Sequence, residues 1–414
     1  MQEVIKNLIK KVIILYVYPL YQNLLVFRLR YKKKINVVFF ASSLPMWRHQ
    51  HLYELMIKYP KFNPQIIILS SSTYSKLAQE NDVKLLREYF DTKGIPYVLG
   101  VQKDGGVFDV KKAIAPDILF YPQPYVSYYQ NQFSYKRFFN KLLCYTPYAF
   151  WTSKDAWSYA LLLHKMSWKL FYSTELHRDD AAKYSPRGST NVEIVGYPTA
   201  DDFVKVLHTY KWKPQSSIKK KLIWAPHFTI CDGGYLTQSN FLWMSELMID
   251  IAKKYSDVIQ IVFKPHPRLY TELCKHPLWG EEQAARYFNL WATLDNTQIE
   301  DGEFVDLFMT SDAMIHDCGS FAVEYHYSEN PVLYVAPDFE RQLEEKNEFG
   351  KLAMRQHYVG RCEQDIVRFI EDVVLAGNDP MKERRVRFKK DYLLPPNGKT
   401  VAENIMDVFL KAFC

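Results

Sequence analysis

The sequence predicts an α/β protein built from two doubly wound parallel sheets, and three observations carry that prediction. Apolar runs of strand length alternate with helical stretches along most of the chain. The alternation falls into two series, divided by a polar segment at roughly 201–220 that contains KWKPQSSIKKK. The runs are continuously apolar, the pattern of strands buried on both faces by helices. A chain of 414 residues, 48% hydrophobic, is also longer than a single core usually serves.

The chain opens with residues 12–27, VIILYVYPLYQNLLVF. This run is shorter than the ~20 apolar residues of a membrane span, and Pro19, Gln22 and Asn23 interrupt it. No small-residue cleavage site follows, which argues against a secretory signal. Val4, Ile5, Leu8, Ile9, Val12 and Ile13 recur at helical spacing. Lys6, Lys10 and Lys11 lie before the run, and Arg28, Arg30, Lys32, Lys33 and Lys34 after it. The segment 1–34 is expected to be an amphipathic helix lying on a membrane surface. The alternative is a helix packed on the protein itself.

The first strand series comprises INVVFFA (35–41), QIIILS (65–70) and DILFYP (117–122), with helices expected over 48–58 and 76–91. The second comprises KLIWAP (221–226), VIQIVFKP (258–265), DAMIHD (312–317) and PVLYV (331–335). Its helices are expected over 240–254, 281–291, 319–327 and 363–376. The domains are accordingly 35–210 and 211–398, facing a cleft, and an amphipathic helix at 399–414 closes the chain. Ligands of such sheets bind at the carboxyl ends of the strands, and the polar motifs follow those ends.

Net charge is +7. That balance fits acidic substrates or anionic lipid, and no nucleic-acid recognition signature accompanies it. Cysteines stand at 144, 231, 274, 318, 362 and 414 with no CxxC spacing, so neither a disulfide framework nor a zinc site is expected. No carboxylate cluster has metal-ligand spacing, and no cofactor is implied.

Four segments carry chemistry. In SDAMIHDCGSFAVEYHY (311–327), a strand ends at Asp317, a candidate donor contact, and Cys318-Gly319-Ser320 turns into a helix expected to follow. Gly319 admits close backbone approach, and Ser320 with the free amides forms an anion site. Glu324 lies one turn on, placed for ribose hydroxyls. An ordinary turn with a serine cap is the plainer alternative. In FKPHPRL (263–269), Lys264, His266 and Arg268 present three donors at a strand end, stiffened by Pro265 and Pro267. Three such groups suit a diphosphate whose leaving group gains charge. In WAPHFTI (224–230), His227 faces nucleotide, acceptor or neither. In SSLPMWRHQHLYELM (42–56), Arg48, His49 and His51 are candidates for acceptor binding or base work. The two histidines are two apart and share no helix face. The aromatic segment 121–140 is either a grip for a sugar or lipid-linked acceptor, or core.

Taken together, GYPTADDF (196–203), WAPHFTI, FKPHPRL, SDAMIHDCGSFAVEY and YLLPPNGKTVAENI (392–405) resemble the CDP-glycerol glycerophosphotransferases of teichoic-acid and capsule synthesis. The resemblance is close over roughly 190–410 and loose before it. It implies two Rossmann-like domains of the glycosyltransferase-B type, with the last helix returning to the first domain. It also implies a CDP-glycerol or related cytidine nucleotide donor, a polymer or lipid-linked acceptor, and peripheral attachment at the cytoplasmic side of the cell membrane. His266 and Ser320 fall where that family holds the donor pyrophosphate, and Glu324 stands for its acidic residue after the turn. The chain departs from the family at CYTPYAFWT (144–152), where a Trp-His-Gly-Thr segment supplies the proposed base. The base then falls to His49, His51 or His227. A CMP-sugar glycosyltransferase using sialic acid or Kdo is the alternative, with KDGG (103–106) a faint echo of its acidic motif. A UDP-sugar transferase or a sugar epimerase comes third. A scaffold that keeps the fold without the reaction is the non-enzyme reading.

Overall fold

The computed structural model describes the chain except residues 1–11, 102–105, 206, 231–238 and 303. The first 11 residues of the expected surface helix and most of KDGG therefore lie outside the described residues. The chain forms two compact units. One comprises Met1–Trp151, Asp155–Asp201 and Leu394–Cys414, and the other Thr152–Lys154 and Asp202–Leu393.

The first unit is a seven-stranded parallel sheet. Its strands are β1 (Ile35–Ala41), β2 (Phe62–Ile68), β3 (Tyr97–Leu99), β4 (Ile118–Tyr121), β5 (Leu142–Tyr145), β6 (Lys169–Tyr172) and β7 (Val192–Ile194), ordered β3-β2-β1-β4-β5-β6-β7. The central strands are buried on both faces, which is why their sequences read as unbroken apolar runs. Most of the aromatic segment belongs to this core: Tyr121, Tyr128, Tyr129, Phe133, Tyr135 and Phe138 are buried.

The second unit is a six-stranded parallel sheet. It contains β8 (Lys220–Ala225), β9 (Ile259–Phe263), β10 (Thr297–Ile299), β11 (Ala313–His316), β12 (Val332–Val335) and β13 (Tyr358–Gly360), ordered β10-β9-β8-β11-β12-β13. Trp224, Phe263 and Trp291 stack at its centre, with ring centroids 5.0–5.3 Å apart. Both units are Rossmann-like, wound outward in two directions from β1 and β8.

The polar segment expected to link the units belongs to the second one. Lys213 donates its amide to Gln298, Trp212 donates to Thr310, and His208 meets Asp306. The division falls at Asp201/Asp202, several residues before 210.

The final helix, Val401–Phe413, belongs to the first unit. Thr400 and Glu403 form a capping box. Asp201, in the short helix Ala200–Phe203, caps this one: its carboxylate accepts from the amides of Val401 (2.7 Å) and Ala402 (3.0 Å). Phe409 and Phe413 then pack on Phe62 and Trp168. Gly196 has φ +98°, and a Cβ there would stand 3.0 Å from Val401 and 3.1 Å from Pro395. Two of the family-like segments, GYPTADD and LPPNGKTVAENI, thus hold each other.

The described part of the first helix runs Tyr18–Arg30, preceded by a wider turn at Ile13–Val17. No described helix is long and apolar enough to cross a membrane.

Candidate functional site

The strand order of the second unit places its switch point between β8 and β11, where the windings diverge and a crevice opens beyond the carboxyl ends. The loops after β9, β8 and β11, three adjacent strands, carry FKPHPRL, WAPHFTI and HDCGS. The backbone ties the first two together: the Lys264 amide donates to Trp224 O (2.8 Å) and the His266 amide to Pro226 O (3.0 Å).

Phe228 is the platform of this edge. The Arg268 guanidinium lies over its ring at 4.2 Å, and the His266 and His227 rings flank it at 4.4 and 4.5 Å. The Arg268 amide donates to His266 Nδ1 (3.2 Å), which fixes the tautomer: Nδ1 accepts, so the proton is on Nε2. His266 Nε2–H has no protein acceptor among the described residues, and it is the group a phosphate oxygen would meet. His227 Nδ1 lies 2.9 Å from Thr229 Oγ1, and its ring is 5.1 Å from that of His266. Burial, and then the positive charge of Arg268, lowers His266 to about 4. Burial, His266 and Arg268 lower His227 to about 4. Both rings are therefore neutral near pH 7: His266 offers its Nε2–H, whereas Thr229 Oγ1 can donate or accept, so His227 presents either a donor or an acceptor at Nε2. The positive charge comes from Lys264, buried with Nζ 3.3 Å from Gly302 O, and from Arg268, exposed and also bonded to Glu272.

Asp317 has a different role from the one expected. Its carboxylate is buried and accepts from the His227 amide (2.6 Å) and the Asn240 amide (2.5 Å). Burial raises it to about 6 against the pull of those bonds. Its oxygens are committed to holding the β8 loop and the start of the helix Phe241–Lys254, so it is a clamp beneath the site and not a contact for a donor.

The helix expected over 319–327 is also corrected. The segment forms two short 3₁₀ turns, Gly319–Phe321 and Glu324–Ser328. Glu324, Tyr325, His326 and Tyr327 are all buried, so no solvent face exists to organise an amphipathic helix, and no long dipole points at the turn. Glu324 is buried and not open at the surface for a ribose. Gly319 starts the first turn, and the Ser320 side chain lies outside the described residues.

Behind the turn lies a histidine group that the sequence did not single out. His316, last in β11, puts Nδ1 3.0 Å from Cys318 O. His357 puts Nδ1 3.2 Å from both Ala353 O and Met354 O. The two Nε2 atoms stand 3.1 Å apart. Carbonyls only accept, so both Nδ1 atoms must donate. Two neutral rings then have no proton left for the contact between them. Burial and the neighbouring ring hold His316 well below its ordinary value, and burial lowers His357 to about 4.

In the first unit the switch point lies between β1 and β4. Tyr128 donates to Ser42 Oγ (3.0 Å), and Gln123 approaches Met46 Sδ (3.2 Å). His49 is not open to this edge. Its ring is packed against Phe39, Trp47 and Phe120, its buried Nε2 has no partner, and burial lowers it to about 3. That enclosure removes His49 from the candidates for a base. His51 is half-buried on the helix Gln50–Ile57, and Arg48 donates to Tyr148 O (3.2 Å). Near CYTPYAFWT the structure brings in His177, unnoticed in the sequence, but Thr174 and Trp151 O occupy both its nitrogens. Among the described residues no three His, Cys, Asp or Glu side chains come together as a metal site.

No protein-family model matches the chain, and no curated protein matches it in sequence. Solved structures do match. A UDP-N-acetylglucosamine 2-epimerase from Listeria monocytogenes superposes with a TM-score of 0.60 at 14% identity, over 92% of this chain and 97% of the other. A wall teichoic acid polymerase TagF variant gives 0.58 at 14%, over 99% and 95%. UDP-GlcNAc 2-epimerase from Neisseria meningitidis bound to UDP-GlcNAc gives 0.57 at 14%, over 91% and 100%. At such identities the likeness shows the fold, two Rossmann-like domains of glycosyltransferase-B type.

Proposed function

We propose that this chain is a transferase that moves glycerol phosphate, or another polyol phosphate, from a CDP-activated donor to a hydroxyl of a cell-surface polymer or lipid-linked acceptor, at the cytoplasmic face of the membrane. One observation carries the proposal: the β9 segment bearing Lys264, His266 and Arg268 lies beside His227 at the end of β8, the strand that borders the switch point of the second sheet. Lys264 and Arg268 are cationic side chains and His266 is a neutral donor, a set that suits the phosphates of a nucleotide diphosphate ester. The motif resemblance supports a cytidine donor, and the likeness to TagF over nearly the whole chain agrees with it.

In this reading the acceptor oxygen attacks the β-phosphorus. A new P–O bond forms, the bond to the CMP oxygen breaks, and CMP leaves with the bonding pair. His266 Nε2–H, Lys264 and Arg268 meet the charge that gathers on the departing phosphate. His51 or His227 takes the hydroxyl proton. Asp317 positions the His227 loop.

The test is CMP release by the purified protein with membranes as acceptor, given CDP-glycerol, CDP-ribitol or CMP-sialic acid in separate reactions, with UDP release followed from UDP-GlcNAc. The expected result is CMP from a CDP-polyol, reduced about 100-fold or more in His266→Ala, the usual cost of one donor to developing charge. CMP from the sialic acid donor alone would make the reaction glycosyl transfer. Turnover of UDP-GlcNAc alone would replace cytidine with uridine, and silence throughout would overturn the transferase reading.

A further inference from the structure

The first unit has a second polar recess at the opposite edge of its sheet, and nothing in the reaction above uses it. The helix Tyr18–Arg30 has three faces there. One is buried, with Tyr18, Gln22 and Leu29; Gln22 donates to Met166 O (2.8 Å) and accepts from Arg187 (3.0 Å). The opposite face is apolar and open, with Leu20, Leu24, Phe27 and Tyr31 exposed by 53–77%. Their spacing of four, three and four residues is one stripe of an α-helix. Tyr16 and Val17, just upstream, are also exposed.

Between these faces, roughly a quarter-turn from the stripe, lie Tyr21, Leu25, Arg28 and Lys32. They line a cavity of about 470 Å³ whose far wall is Asp117, Asn140 and Lys141. Asp117 and Lys141 stand just before β4 and β5, so the cavity belongs to the amino edge of the sheet and not to its crevice.

The charge in this cavity is unbalanced. Asp117 is its one carboxylate, and it is committed to Lys32 and to the Asn36 amide. Arg28 and Lys141 have no ion-pair or side-chain hydrogen-bond partner among the described residues. Burial holds Lys141 below the ordinary lysine value; Lys32, Lys111 and Arg28 add to that, and Asp117 opposes it. Such a cluster is stabilised by an incoming anion. The volume lies within the usual range for small-ligand pockets, about 300–1,000 Å³.

We propose that this cavity holds the phosphate headgroup of an anionic phospholipid while the apolar stripe beside it enters the acyl boundary of the same leaflet. The ligand class follows from the juxtaposition. A free phosphate would use the cations and leave four large apolar side chains in water. A neutral apolar partner would leave Arg28 and Lys141 unpaired. An anionic lipid satisfies both surfaces at once. The inference rests on the chain working at a membrane and goes beyond it: binding is to a defined site, not only to a diffuse negative surface.

The experiment is flotation of the full chain with vesicles of phosphatidylcholine alone or mixed with phosphatidylglycerol at 0.15 M salt. Four proteins are compared: wild type, Arg28→Gln/Lys141→Gln, the control Lys33→Gln/Lys34→Gln, and Leu24→Asp/Phe27→Asp. Thermal melts establish that each is folded. The two glutamine pairs remove the same charge, and only the first lies in the cavity. The expected result is binding to the mixed vesicles that falls about tenfold or more in the cavity pair and about threefold or less in the control. The aspartate pair should abolish it. Equal losses in the two glutamine pairs would overturn the headgroup site and leave membrane attachment standing. No vesicle binding by wild type would overturn both. Arg28-dependent binding of inorganic phosphate, followed by calorimetry, without vesicle binding would make the cavity a free-anion site and overturn the lipid.

Discussion

The two sheets share a winding order, β3-β2-β1-β4 in one and β10-β9-β8-β11 in the other, and their crevices are built from equivalent loops. Their linings differ. The loops after β9 and β8 carry His266, Arg268 and His227 around the Phe228 ring, with Lys264 buried at the end of β9, and Asp317 after β11 holds the β8 loop from below. The loops after β1 and β4 carry Ser42, Met46, Gln123 and Tyr128, with hydroxyl, thioether and amide groups, and Arg48, whose Nε is bonded to Tyr148 O. Topology therefore sets where a ligand sits in each unit, and side chains set its charge. In the reaction proposed above, the cationic edge of the second unit would take the activated donor, and the hydroxyl and amide edge of the first unit the acceptor.

Acid sharpens this comparison with the largest expected effect on stability. His227, His266 and His357 are each lowered to about 4, and His316 and His326 lie well below 6.5. In the first unit His164 and His177 are lowered to about 4 and His49 to about 3. A lowered histidine binds its proton more readily unfolded. Its contribution is fully present above pH 6.5 and is lost as pH falls from there toward 4, at up to about 1.4 kcal/mol per pH unit each. Asp82 and Asp317, raised to about 6, act with the opposite sign, and only below about pH 6. Denaturant melts at pH 7.5, 6.5 and 5.5 should show stability falling with acid. His326→Phe, which removes one member of the stack formed with His357, should flatten the decline. Stability independent of pH over that range would mean that these rings are solvated.

Asp317 is where the two edges differ in construction. Its removal leaves the buried amides of His227 and Asn240 without an acceptor, at about 1–3 kcal/mol each. Asp317→Ala should lower stability by about 2–5 kcal/mol. At temperatures where it remains folded, it should weaken donor binding, because the His227 loop loses its anchor. A rise in KM with kcat nearly unchanged would fit a positioning role. Unchanged stability would show that the clamp is made elsewhere and would remove this distinction between the edges.

Much of this was legible in the sequence, for identifiable reasons. INVVFFA, QIIILS and KLIWAP read as strands because both faces of each central strand are covered. β3, β7, β10 and β13 are three residues long and lie on sheet edges, and β5 and β6 are only four; all six went unread because so short an apolar run does not stand out from its surroundings, even where, as in β5, every residue is buried. The place of FKPHPRL at a strand end was legible because the apolar run of β9 stops sharply at Lys264. Asp317 looked like a donor contact because a carboxylate that clamps a loop and one that binds a ligand have the same sequence signature, and the burial of Glu324 depends on packing that its spacing does not show. His49 looked like a base because its burial depends on Phe120, 71 positions further along the chain. His316 and His357 are 41 positions apart, and no spacing rule joins them.

The smallest expected effect tests a contact confined to the first unit. Gly196 opens GYPTADDF, a segment whose resemblance to a transferase family invites a catalytic reading, whereas its surroundings are structural. Its φ of +98° is costly for any residue with a Cβ, and that Cβ would also stand 3.0 Å from Val401 Cγ2 and 3.1 Å from the Pro395 backbone. Gly196→Ala should therefore destabilise the chain by about 1–3 kcal/mol and loosen the helix Val401–Phe413, which Asp201 caps five residues further on. Hydrogen exchange would show the loss as faster exchange across that helix, while CMP release per folded molecule stays near wild type. If instead the variant is fully stable and inactive, Gly196 is a ligand-contact position, and the first unit carries recognition chemistry beyond its hydroxyl and amide edge.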